Sequence, residues 1–297
     1  MMRKNIFAVA ALLGVALLQG CAATAPSYRS NYSEARNIAS VGGLDLGIED
    51  RDISKSEDPW TGPGISLGDL VAIANVGVGA LEGGVLGMGG VGSAAFNTAH
   101  GVWATSKDDH WSQNYFFAYI PKSYNPELTS PTQVREYLDN KLVRTSVAIL
   151  EDHGFEMVPV LDKKIHYEAP VHRWLLVNDK YSCSEEKANC VFTVYTVNHK
   201  QVNTAINPSF LGNKKQEESW KFFRGPNKGK STIDITSFDT SSIIPELEFY
   251  QELSTKMPNW FNLYIAPARA TTERYDQGYL PYNVIVRNGE TLKFIRP

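Results

Sequence analysis

Residues 173–198 read RWLLVNDKYSCSEEKANCVFTVYTVN. Two runs rich in Val, Leu, Phe, Trp, Tyr and Thr, 173–178 and 190–198, flank a polar loop of turn-forming residues. Such side chains fit a pleated, half-buried surface, and short runs bounded by Asn, Asp and Ser read as strands. Together they predict an antiparallel hairpin, which sets the architecture for the sequence on either side.

Upstream, the clearest helix covers 131–153. Ser130 is a good N-cap, Pro131 suits the first helical position and Gln133 completes a capping box. Val134, Tyr137, Leu138, Leu142, Thr145 and Ile149 fall close to one face. Gly154 stands where a helix ends in the left-handed region. The runs YFFAYI (115–120) before the helix and FEMVPVL (155–161) after it read as strands. Downstream, SSIIPELEFYQELSTKM predicts a second helix over 243–256 with Ile243, Leu247 and Tyr250 on one face. A strand follows at 260–267, and NVIVRNGETLKFI closes the chain with Asn288-Gly289, a type I′ hairpin signal. The fold class expected is α+β: a mostly antiparallel sheet with two helices packed on one face.

The chain opens MMRKNIFAVAALLGVALLQGC. Arg3 and Lys4 precede an apolar run, Ile6–Leu18, that is short for a spanning helix, and the combination reads as a secretory signal peptide. The run ends in Leu18-Gln19-Gly20-Cys21, which resembles the lipobox of bacterial lipoproteins. That resemblance implies cleavage before Cys21 and acylation of its thiol and amino group. Ala22, in place of the Asp often found at that position in inner-membrane lipoproteins, implies sorting to the outer membrane. The formal net charge of −3 becomes −5 once Arg3 and Lys4 leave with the signal. So mild a balance gives no footing for a nucleic-acid partner. In an exported protein Cys183 and Cys190 are expected to pair across the hairpin tip, stabilising the fold by about 2–3 kcal/mol in the chain-entropy model. Half a metal site is the alternative, and it lacks a second Cys pair or a nearby His pair.

Residues 21–66 are polar and poorly periodic; they read as a lipidated tether with one short helix near 27–40, which holds the body off the membrane. Residues 67–106 are apolar and glycine-rich. Gly costs about 1 kcal/mol relative to Ala in a water-exposed helix, so these glycines speak against a free amphipathic helix. Gly79, Gly83 and Gly87 fall four apart and would form one flat stripe for close helix contact. The segment is similar to glycine-zipper segments of bacterial envelope proteins. A helical hairpin with Glu82 near its bend is expected, associating with membrane, with other copies or with its own domain; a glycine linker is the alternative.

The residues able to do chemistry are few. His166, Glu168 and His172 alternate and would share a face of an extended run as metal ligands do, but Pro170 opposes a straight strand and no zinc spacing matches. Asp108, Asp109 and His110 could pair a carboxylate with an imidazole, though sequence neighbours rarely face one another. GPNKGKS (225–231) resembles a phosphate-binding loop with three residues where four are required, and reads as a solvated basic turn. No nucleophile-elbow or paired-His zinc motif occurs in the sequence, so no catalytic residue, metal or cofactor is assigned. The organisation expected is a signal peptide (1–20), a lipidated tether (21–66), a glycine-rich helical hairpin (67–106) and an α+β periplasmic domain (107–297). The function expected is that of a non-enzymatic, outer-membrane-anchored structural or assembly component. It would contact the membrane through Cys21 and an envelope protein or its own copies through the body and glycine hairpin. A periplasmic envelope hydrolase and a glycan or small-ligand binder are the alternatives.

Overall fold

A computed structural model describes residues 25–44, 49–50, 114–160, 171–197, 199–211, 215–222, 231–237, 244–266 and 283–297. Its strands are β1 (Tyr115–Pro121), β2 (Glu156–Pro159), β3 (Val171–Val177), β4 (Cys190–Tyr195), β5 (Asn203–Ile206), β6 (Glu218–Phe222), β7 (Thr232–Ser237), β8 (Phe261–Ile265), β9 (Val284–Arg287) and β10 (Glu290–Lys293). Its α-helices are α1 (Glu34–Val41), α2 (Pro131–Asp152) and α3 (Glu246–Lys256). The fold is α+β, with the strands in one antiparallel sheet.

The hairpin at 173–198 is present: Trp174 of β3 lies opposite Phe192 of β4, and Cys183 and Cys190 are bonded with Cα atoms 5.5 Å apart. The sheet runs β10-β9-β8-β1-β7-β4-β3-β2, with β6 beside β1 and β5 beside β6. β6 and β7 lie end to end along β1, since Phe222 faces Ala118 and Thr232 faces Tyr115. β4 and β5 lie end to end beside them, with Tyr195 opposite Thr232 and Asn203 opposite Lys221. β4 and β5 thus run alongside β7 and β6 respectively, as two adjacent arms of the sheet.

One sheet face carries α2 and α3. Ser130 and Gln133 form the expected capping box, and Gly154, at φ +82°, ends α2 in the left-handed region. Val134, Leu138, Leu142 and Ile149 pack with Phe116, Phe192, Ile233, Leu263 and the α3 residues Phe249, Tyr250 and Leu253 in the larger core. α3 starts at Glu246 with Pro245 at its N-cap; Ile243, expected on its apolar face, lies outside the described residues. The β9–β10 hairpin turns through Asn288 and Gly289, both at positive φ, as a type I′ turn requires.

The opposite face is covered by α1. Ala35, Ile38, Ala39, Val41 and Leu44 form a second core with Tyr115, Phe117, Tyr119, Tyr264, Ile285 and Phe294. The short helix expected within the tether exists, and it is packed onto the body rather than free. Ser33 caps it by accepting from the Arg36 N–H at 3.0 Å, and both the Ser33 N–H and hydroxyl bond the buried Asp50 carboxylate. Asn37, also buried, accepts from the Arg29 N–H at 2.8 Å and donates to the Arg29 and Ser33 carbonyls, both at 3.0 Å. β1 is therefore buried on both faces along its whole length, which is why it reads as the unbroken apolar run YFFAYIP.

Candidate functional site

Two buried polar clusters interrupt the cores. The first joins α2 to β3. Asp139 sits on the buried side of α2, and one carboxylate oxygen lies 2.8 Å from His172 Nε2. The other oxygen accepts from the Thr196 hydroxyl at 2.9 Å. His172 faces α2 because its cross-strand partner, Val194, points into the same core. Trp174, two residues on, stacks beside the imidazole with ring centroids 6.0 Å apart. Thr196 thus orients Asp139, Asp139 orients His172, and a third of the His172 side chain reaches solvent. A carboxylate that fixes an imidazole in this way sets the ring's orientation toward a polar ligand.

The second cluster lies where β7 splays from β1. Those strands pair only at Tyr115 and Thr232, so the next backbone groups of β7 need other partners. The Tyr250 hydroxyl of α3 supplies them: it accepts from the Ile235 N–H and donates to the Ile233 carbonyl, each at 3.3 Å. The Asn114 amide donates to the same hydroxyl at 2.9 Å, and its oxygen accepts from the Ala266 N–H at 2.8 Å. The Asn114 backbone N–H bonds the Asp234 carboxylate. Asp234 lies between Ile233 and Ile235, which point into the larger core, so it faces the other side of the sheet. Burial pushes its carboxyl up to about 7, opposed by the Asn114 N–H. Burial also holds the Tyr250 hydroxyl above its ordinary range, with the negative charges of Glu246 and Asp234 adding to the effect. Among the described residues neither Asp234 Oδ2 nor Thr232 Oγ1 has a hydrogen-bond partner. Thr232 Oγ1 and Asp234 Oδ2, two residues apart on β7, are thus enclosed oxygens whose hydrogen-bonding capacity is unmet.

The two clusters do not converge. His172 and Asp234 stand on opposite faces, and with β4 between them their strands are about 10 Å apart. An aromatic corner lies elsewhere: Tyr124, 44% exposed, meets Trp260 edge-on, and its hydroxyl lies 3.2 Å from that of Tyr137.

Of the residues singled out in the sequence, Cys183 and Cys190 form the expected disulfide, and His172 has Asp139 as its partner. Ser231 of the basic turn is buried and accepts from the Val197 N–H at 3.3 Å. Cys21, Gly79, Gly83, Gly87, Asp108, Asp109, His110, His166 and Glu168 lie outside the described residues. Sequence reasoning missed Asp139, Asn114, Asp234 and Tyr250 as polar cluster residues. The alternation in TIDITS was the available signal for β7, but nothing in it marks one carboxylate oxygen of the Asp as enclosed. Among the described residues no group of three His, Cys, Asp or Glu side chains is placed to hold a metal ion, and no helix is long and apolar enough to cross a membrane. Comparison with protein-family models, curated proteins and solved structures finds no match to this chain.

Proposed function

We propose that this chain is an outer-membrane lipoprotein, acylated at Cys21, whose α+β body is a non-enzymatic structural or assembly component of the cell envelope. The observation that carries the reading is Leu18-Gln19-Gly20-Cys21 at the end of a short apolar run behind Arg3 and Lys4. The Cys183–Cys190 disulfide suits an oxidising compartment. Two polar clusters on opposite faces suit a body that makes separate contacts better than one catalytic constellation. Gly79, Gly83 and Gly87 fall four apart in the sequence, a spacing that in a helix would give a close-contact stripe for oligomerisation or membrane association.

Intact-mass analysis of protein purified from its native envelope, followed by mild crosslinking there, tests the reading. A diacylated or triacylated chain beginning at Cys21 and a reproducible crosslinked partner are expected. A chain cleaved elsewhere, or one with an unmodified Cys21, contradicts the anchor and the localisation. A periplasmic hydrolase is the second reading, favoured by the oriented His172–Asp139 pair. It predicts that His172→Ala abolishes an envelope-degrading activity while leaving the thermal melt close to that of the parent chain.

A further inference from the structure

We propose that the surface carrying Tyr28 and Arg29 docks onto the phospholipid headgroups of the membrane that holds the lipid anchor, so that the body lies against the bilayer by its α1 side. This rests on the acylation of Cys21 proposed above. Six residues lie between Cys21 and Tyr28, and the seven steps from one to the other span at most about 25 Å when fully extended. That is less than the thickness of one bilayer. No further slack follows: Asn37 clamps Arg29, Asp50 clamps Ser33, and Ile38 is fully buried in the second core. The lipid therefore holds this one surface of the body within a small volume above the headgroups. At such an effective concentration a weak surface contact suffices for docking.

The surface has the chemistry for it. Tyr28 and Tyr124 are the exposed large hydrophobic residues among those described, and Tyr28, 51% exposed, is the one beside the anchor. Its ring is fixed edge-on against Phe210 at 5.6 Å, so presenting it loses little side-chain entropy. Tyr partitions to the membrane–water interface, where its apolar ring and polar hydroxyl are both satisfied. Arg29 follows it. Its guanidinium lies over the Tyr32 ring at 5.0 Å and donates to the Tyr32 hydroxyl at 2.8 Å, which leaves further N–H donors for a phosphate oxygen. An aromatic ring and a guanidinium side by side, at the end of a short leash from an acyl anchor, fit a phospholipid surface.

The test uses acylated full-length protein in phosphatidylcholine vesicles containing a minority of phosphatidylglycerol. Nitroxide labels are attached at Ser27→Cys and, in a second sample, at Glu185→Cys, an exposed position on the cysteine loop. The native cysteines Cys183 and Cys190 are bonded and buried, so they do not compete for the label. The label at 27 is expected to collide several-fold more with lipid-soluble oxygen, and less with a water-soluble nickel chelate, than the label at 185. Tyr28→Ala with Arg29→Ala should return position 27 to water-like values without removing the acyl chains or lowering the melting temperature. Water-like values at 27 in the parent chain overturn the proposal. So does protection at 27 that survives the double substitution, because the leash alone then explains it. Intact mass separates these results from failure of the anchor: an unacylated chain removes the anchor, and the docking falls with it.

Discussion

The two faces of the sheet are built differently. The α2–α3 face is a conventional core, in which long helices with apolar stripes cover Phe, Val, Ile and Leu side chains from β1, β4, β7, β8 and β9. The α1 face is covered by eight helical residues and the segment around Leu44, and it meets them with Tyr115, Phe117, Tyr119, Tyr264 and Phe294. Large aromatic rings on the sheet compensate for a small cover, since each buries more apolar area than an aliphatic side chain. Gly42 fits the same arrangement. A Cβ there would lie 2.7 Å from the Phe117 ring, so the chain at the end of α1 must be bare to let the ring seat. The comparison teaches that residues 33–44 are a structural layer of the body, even though they lie within the stretch that reads as a tether.

Core truncation on each face is the strongest way to break that equivalence. Leu142→Ala on α2 and Ile38→Ala on α1 remove side chains that are each 0% exposed. Both are expected to destabilise by about 2–5 kcal/mol in chemical denaturation. A loss below about 0.5 kcal/mol at Ile38, the range of ordinary surface positions, would show that α1 is loosely applied.

The cysteine loop sharpens the picture of the α2–α3 face, because Cys183 and Cys190 are buried in its core as well as bonded to each other. Replacing both with Ser is expected to lower stability by about 2–3 kcal/mol while the chain still folds. Loss of folding altogether would mean that the hairpin, rather than the helices, organises that core.

Asp234 gives a smaller and pH-dependent difference between the faces. Its carboxyl is pushed from the ordinary value of 3.8 up to about 7 in the fold, chiefly by burial. Between those values the folded state binds more protons than the unfolded one, so this group's contribution to stability falls as pH rises through the window. Asp234→Asn removes the titration. It is expected to stabilise on the order of 1 kcal/mol above pH 7 and to lose that advantage toward pH 4, read as melting temperature against pH. A pH-independent difference between the two proteins would show that the carboxylate is solvated.

The unequal legibility of the faces in the sequence has the same physical origin. α2 carries a capping box, six turns of periodicity and a terminal Gly154, so its start, face and end are all written locally. The β3–β4 hairpin and the Asn288-Gly289 turn are also local, and they appear where the sequence puts them. α1 is about two turns long, and its buried Ala35, Ile38 and Ala39 are too few to mark a stripe against a polar background. β5, β6 and β7 sit in a stretch that reads as polar, because Thr, Asp, Asn, Glu and Lys occupy the alternate positions. Whether those positions meet water depends on what covers the second face, and that is tertiary information. The candidate sites follow the same pattern. His172 is visible as a titratable residue in a strand, whereas Asp139, in α2, and Asp234, in β7, gain significance only from partners distant in sequence.

Native-state hydrogen exchange, followed by mass spectrometry on peptides covering 33–44 and 131–152, addresses the status of α1 most directly. If α1 is a layer of the body, the amides of Ile38, Ala39 and Val41 open with a free energy close to that of α2, with protection factors within about tenfold of those around Leu142. Exchange of 33–44 within seconds, while α2 stays protected, would mean that the segment is a tether resting on the sheet, and the aromatic face beneath it would need another cover.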